Sequence, residues 1–159
     1  MAKKISKLDV TLNGLMGAIV NAIKAWKPAA CDREVQCSAA LAEYLREVCP
    51  PDTRVETEYR DGGTTIDVWL SWQGLLFPGQ VFFEVKRNLD KKSDLDRLVG
   101  QIAALQPGKR KVVVVLVGET NKELLGRLKE HYKAALDEDE DAMRIVTVKP
   151  ISAGGHRGR

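Results

Sequence analysis

Apolar residues recur at steps of three and four from Leu8 through Leu12, Leu15, Ile19 and Ile23 to Trp26, which predicts an amphipathic helix over about residues 6–27, ended by Pro28. A second helix is expected to open near Asp32 and run to about Val48, with Leu41, Tyr44, Leu45 and Val48 on its buried face and Pro50-Pro51 stopping it. The period then changes. Val55, Thr57 and Tyr59 alternate with Glu56, Glu58 and Arg60, the pattern of a half-buried strand. Asp61-Gly62-Gly63 supplies turn chemistry, so Thr64 to Trp72 reads as the returning strand of a hairpin.

Gly74 to Gly79 reads as a loop and Val81 to Lys86 as a third, strongly apolar strand. Ser93 is then expected to cap a helix, with Asp96 completing a partial capping box and Leu95, Leu98, Val99, Ile102 and Leu105 as its apolar stripe. Pro107-Gly108 closes that helix. Lys111 to Val117 carries an unbroken apolar run, the mark of a strand covered on both faces. A helix through Leu124, Leu125, Leu128, Tyr132 and Leu136 and a short strand from Arg144 to Val148 complete the pattern. The order α-α-β-β-β-α-β-α-β implies an α/β fold with a mixed central sheet flanked by helices, in a single domain over 1–150. Residues 151–159, ending Gly154-Gly155-His156-Arg157-Gly158-Arg159, read as a flexible basic tail.

Composition narrows the function classes. The chain has 159 residues, 44% hydrophobic and 30% charged, which suits one globular domain. No apolar run approaches the roughly 18 residues that a membrane span needs. Met1-Ala2-Lys3-Lys4-Ile5-Ser6-Lys7 has a signal peptide's charge without the apolar stretch, so a cytoplasmic location is expected. Cys31, Cys37 and Cys49 are odd in number and lack a Cys-x-x-Cys pair, so the expectation is thiols in a reducing compartment rather than a zinc or disulfide framework. The two histidines, His131 and His156, support neither a triad nor a zinc site. The net charge of +3 suits an anionic partner, and Lys86, Arg87, Lys91 and Lys92 cluster, as do Lys109, Arg110 and Lys111. The acidic run from Asp137 to Asp141 reads as a solvated turn.

Two carboxylates sit where a core-building sequence would not place them. Asp67 lies mid-strand in Thr65-Ile66-Asp67-Val68-Trp69-Leu70, and Glu84 ends the apolar run of Phe82-Phe83-Glu84-Val85-Lys86. Alternation places Glu84 and Lys86 on one face, about 7 Å apart by strand rise. If the two strands pair, Asp67 reaches the same spot. Lys86 compensates one acid and leaves the other costly to bury, whereas a divalent cation resolves both. Carboxylates are hard donors suited to Mg²⁺ or Mn²⁺, and a metal-bound water with a lysine beside it makes a phosphodiester-hydrolysing site. A lone Glu-x-Lys at a strand end is more often a surface ion pair, and it is Asp67, with sixteen residues between it and Glu84, that changes the judgement.

Asp67-x16-Glu84-Val85-Lys86, within this element order, resembles the PD-(D/E)XK superfamily of restriction-endonuclease-like nucleases, over about residues 32 to 118. The resemblance implies an αβββαβ core with an extra N-terminal helix, a Mg²⁺- or Mn²⁺-dependent DNA endonuclease, and a metal held by Asp67, Glu84, the backbone carbonyl of Val85 and Glu34. Glu34 is chosen because it lies seven residues before Leu41 and eleven before Leu45, on their inward face, while Glu43 and Glu47 point away. Lys86 would orient the nucleophile or stabilise charge on the phosphate. The family's polar helix positions map onto Arg97 and Gln101, four residues apart, and Arg87, Lys91 and Lys92 join Arg97 as expected nucleic-acid contacts. Ile66 stands where the superfamily has its proline, and Leu105 stands where the exonuclease-like branch has a tyrosine, which weighs against an exonuclease.

Trp69, Trp72 and Phe77 suit base stacking, though strand aromatics are more often core, and Trp69 shares a face with Asp67 and so is expected to wall the site. The competing readings are a non-catalytic nucleic-acid-binding domain that retains the fold, and a protein-interaction module with the first helix as a dimer seam. A homodimer is also compatible with the nuclease, since one active site cuts one strand.

Overall fold

The computed structural model of the chain describes residues 2–74, 79–138 and 142–151. Among them, five strands form one mixed sheet in the order β1-β2-β3-β4-β5. These are β1 (Thr53–Asp61), β2 (Thr64–Trp72), β3 (Gly79–Leu89), β4 (Val112–Thr120) and β5 (Met143–Val148), with helices α1 (Lys7–Lys24), α2 (Glu34–Val48), α3 (Lys92–Leu105), α4 (Lys122–His131) and α5 (Lys133–Glu138). The first three strands form an antiparallel meander, and β3, β4 and β5 run parallel. The β1–β2 turn is tight because Gly62 and Gly63 both take positive φ, 58° and 86°, as a two-residue hairpin turn demands. From α2 to β4 the order is the αβββαβ core expected from the sequence, and α1 is the added N-terminal helix.

Each face of the sheet carries its own apolar layer. Leu15, Ile19, Ile23, Leu41 and Leu45 pack with Val68, Leu70, Phe83 and Val85 on one side. Leu95, Leu98, Ile102, Leu124 and Leu128 pack with Phe82 and Leu89 on the other. β4 is buried on both, giving Val113, Val115 and Val117 to the first layer and Val112, Val114 and Leu116 to the second. Its unbroken apolar run follows from that double burial.

Four expectations need correction. The helical stripe of α1 does not hold throughout: Leu15, Ile19, Ile23 and Trp26 are buried, but Leu8 and Leu12 are 64% and 72% exposed. Gly14 is the cause, since its φ of 76° and ψ of 165° break the helix and rotate the first two turns out of phase. The single helix expected around Leu124 to Leu136 is two, divided where Tyr132 leaves helical geometry at φ −108°, ψ 23°. Ser93 and Asp96 do not cap α3. The cap is Lys91, whose N–H donates to the Asp94 carboxylate at 3.2 Å. Lastly, Cys31 and Cys37 are not free thiols: they form a disulfide with Cα atoms 5.6 Å apart, because the first turn of α2 folds residue 37 back over residue 31. Cys49 is the free, buried cysteine, and burial pushes its thiol up to about 12. Phe77 and residues 152–159 lie outside the described residues, as do parts of the loop from Gly74 to Gly79 and of the acidic run.

Candidate active site

The site forms where β2 parts from β3. Their ladder runs from Trp72↔Gly79 to Val68↔Phe83 and stops there, one residue short of Asp67 and Glu84. On its other side β2 is also irregular at this point. Thr57↔Val68 and Tyr59↔Ile66 pair normally, but Glu58, opposite Asp67, is a non-glycine residue at φ 50°. The strand changes face there: Val68, Leu70 and Trp72 belong to the first apolar layer, Ile66 to the second. Asp67 fills the opening, its Oδ2 accepting the Val85 N–H at 2.8 Å in place of a neighbouring strand's carbonyl.

Glu84 and Lys86 are almost fully buried, at 5% and 6% exposure, which is unusual for either residue type. The Asp67 and Glu84 carboxyls hydrogen-bond to each other. Burial, and then the Asp67 charge, push Glu84 up to about 9. Burial also raises Asp67, partly offset by the Val85 N–H and by Glu84. Glu84 thus keeps its proton at neutral pH, the Lys86 charge offsetting only part of the rise.

Lys86 points elsewhere. Its Nζ lies 2.9 Å from Glu34 Oε2 and 3.5 Å from Asp94 Oδ1. Glu34 opens α2 and Asp94 lies in the first turn of α3, where acids complement the helix dipole. Lys86 is therefore clasped between two helix N-termini at the C-terminal end of β3. Glu34 Oε2 also accepts the Arg87 N–H at 3.1 Å, and Arg87 Nε donates to the Cys31 carbonyl at 2.6 Å. The Lys86 charge offsets part of the burial that would otherwise raise Asp94, whose carboxyl sits below its usual value. Immediately beyond, Asn88 adopts φ 55° and the ladder slips between Arg87 and Leu89. Asn88 Oδ1 accepts the Glu119 N–H at 2.9 Å and lies so near Gly118 that no Cβ would fit there.

The expected site residues divide accordingly. Asp67, Glu84 and the Val85 amide meet at the strand split, while Lys86, two residues along β3, turns to Glu34, which also accepts the Arg87 amide. Arg87, Lys91 and Arg97 line one surface hollow with Glu34, Lys86 and Asp94. Lys92 is held in an exposed pair with Asp96, 3.5 Å away. Gln101 is exposed on α3, and Lys86 is held by Glu34 and Asp94. Trp69 does not wall the site: it is buried in the second layer, stacked on Tyr59 at 4.0 Å with its Nε1 donating to Gln80. Trp72 is buried in the first layer, so the core reading of both holds. Asp94 was missed by the sequence reading, and its only signal is an acid in the first helical turn after the lysine strand.

Among the described residues no group of three or more Asp, Glu, His or Cys side chains is arranged to enclose a metal ion. The Asp67–Glu84 pair nevertheless suits a hard divalent cation. Mg²⁺ keeps several waters and commonly needs only one or two carboxylates plus substrate phosphate. Two adjoining carboxyls, one of them raised by burial and by its neighbour's charge, are such a donor set.

Neither a protein-family model nor a curated protein matches the chain. Among solved structures, one similar fold is Pyrococcus furiosus SfsA in complex with Ca²⁺, at 16% identity and a TM-score of 0.44, over 72% of this chain and 57% of that one. Another is the DNA modification-dependent restriction endonuclease AspBHI, at 18% identity and a TM-score of 0.41, over 84% of this chain and 32% of that one. The chain spans little more than half of the first and about a third of the second. Similarity at this level carries no argument about activity, which must come from the site. Among the described residues no helix is long and apolar enough to cross a membrane.

Proposed function

We propose that the chain is a Mg²⁺- or Mn²⁺-dependent nuclease that hydrolyses phosphodiester bonds, with DNA as its substrate. The observation that carries this reading is the mutually hydrogen-bonded Asp67–Glu84 pair at the split between β2 and β3, Glu84 buried and Asp67 half-buried, with Lys86 two residues on. A carboxyl pair drawn out of water with its charge only partly offset lowers stability, and a divalent cation relieves that penalty.

Asp67 and Glu84 would hold the cation, with the Val85 carbonyl as the backbone donor, and the cation would supply an activated water and charge neutralisation at the phosphate. Lys86, aimed by Glu34 and Asp94, stabilises negative charge developing on the phosphate oxygens. Glu34 then acts on Lys86, with ligation of the metal as a second role. Arg97 and Lys91, exposed at the hollow, contact flanking phosphates, and Arg87 fixes the β3 end to the turn before α2. Lys92 and Gln101 lie on the same helix, further from the carboxyl pair, and meet nucleic acid only at the rim.

The test is incubation of the purified protein with supercoiled plasmid, linear duplex and single-stranded DNA in Mg²⁺, Mn²⁺ or EDTA. Cleavage that needs metal and is lost in Asp67→Ala supports the reading. Folded protein that binds DNA with a steep salt dependence but cuts none of these substrates would make it a non-catalytic binding domain.

A further inference from the structure

The disulfide stands at one of the two helix termini that hold Lys86. Glu34 is the midpoint of the loop that Cys31 and Cys37 close, three residues from each. Arg33 occupies the N-cap without a side-chain hydrogen bond to the first turn. The local ties include those of Gln36 Oε1, which accepts the Asp32 and Arg33 N–H groups at 2.8 and 3.1 Å, and of the Arg33 carbonyl, which accepts the Gln36 and Cys37 N–H groups at 3.0 and 3.2 Å. Two residues of β3 are attached to this loop, Lys86 and Arg87 through Glu34, and Arg87 again through the Cys31 carbonyl.

We propose that Cys31 and Cys37 form a reversible redox modification site that takes low-molecular-weight thiols and disulfides as co-reactants, its oxidised form holding Glu34 on Lys86. The proposal rests on the reading of Glu34 and Lys86 as parts of the active site. Access is one-sided: Cys31 is half-buried and lines a surface hollow beside Trp26, while Cys37 is 1% exposed. A small thiolate therefore attacks Cys31 Sγ. The Cys31–Cys37 bond breaks, and Cys37 leaves with the electron pair and takes up a proton. A second small thiolate then attacks the mixed disulfide on its small-molecule sulfur, releasing Cys31, which also takes up a proton, and the small-molecule disulfide. Two electrons and two protons enter the protein, two small thiols are oxidised to one disulfide, and the reverse exchange restores the staple. Reduction leaves the first turn of α2 without its tie, so Glu34 and the Arg87 amide separate more readily.

The experiment equilibrates the full chain with reduced or oxidised glutathione, removes the glutathione, and measures three things. Thiols titrated in denaturant should number one in the oxidised protein, Cys49, and three after reduction. Metal-dependent DNA cleavage should be about fivefold faster in the oxidised form, the weight of one helix cap. The variant Cys31→Ser/Cys37→Ser should cleave at the reduced rate under both conditions. Hydrogen exchange at the Arg87 amide should be faster in reduced protein and in the variant, a readout that needs no catalysis. Three thiols in the oxidised sample, or equal cleavage rates in the two forms, would overturn the proposal. If neither form cleaves, the nuclease reading fails by itself, and the Arg87 exchange rate alone then decides whether the disulfide governs this contact.

Discussion

The two ends of β3 handle charge in opposite ways. Near its start, Arg110 pairs with Asp61 at 3.0 Å, donates to the Leu105 carbonyl at 3.1 Å and lies over the Phe82 ring. One cation meets one anion, and the rest of the guanidinium meets a carbonyl and a ring. At its other end Lys86 faces Glu34 and Asp94, while Asp67 and Glu84 lie against each other with the Lys86 charge offsetting only part of the rise in Glu84. The balanced end stabilises the fold; the end with excess acid stores a deficit that a ligand can fill. Charge imbalance, more than burial, separates the two.

The largest effect should come from Lys86→Met. It should lower the metal-dependent cleavage rate by at least about a hundredfold, the scale of losing one charge-stabilising donor. Retention of wild-type cleavage would reduce Lys86 to a structural ion pair like Arg110.

Next is a stability effect with a defined sign. Glu84 is raised from 4.5 to about 9 in the folded chain. Between those values the folded protein holds a proton that the unfolded chain releases, so metal-free stability falls as pH rises through that window. Glu84→Gln cannot ionise and should flatten the slope, gaining about 2 kcal/mol in urea unfolding at pH 8 without metal. Saturating Mg²⁺ should flatten it in the wild type as well. A slope equal in variant and wild type would mean that Glu84 is not the titrating group.

The smallest effect belongs to the balanced end. Asp61→Asn should cost about 1 kcal/mol in the same unfolding measurement, since the carboxylate is partly exposed, and leave the cleavage rate per folded molecule unchanged. A loss of cleavage there would join the two ends functionally and end the contrast.

Much of the unbalanced end was legible in the sequence because its signal is local. A polar residue inside an apolar strand, as at Asp67, Glu84 and Lys86, breaks a period-two pattern that any reader can see, and the bounds of β2 came out as Thr64–Trp72 from alternation and turn chemistry alone. What was not legible depends on tertiary placement. Asp94 reaches Lys86 only because α3 starts where β3 ends, and in sequence it is one more first-turn acid. The Cys31–Cys37 bond is set by the path into α2, which cysteine counting does not describe. Leu8 and Leu12 continue a helical period that Gly14 interrupts, and a periodicity count cannot see a φ of 76°. The role of Trp69 reversed for a related reason, since the face change at Glu58 and Asp67 removes it from the site that simple alternation assigned to it.

The claim at the centre is that Asp67 and Glu84 hold a divalent cation. Calorimetric titration of the protein with Mn²⁺ at pH 7, repeated in two buffers of different ionisation enthalpy, tests it most directly. The account predicts binding accompanied by proton release, as the shared proton leaves the pair, and loss of both in Asp67→Asn/Glu84→Gln. Mn²⁺ binding that persists undiminished in that variant, or a folded wild type that binds no Mn²⁺, would contradict it.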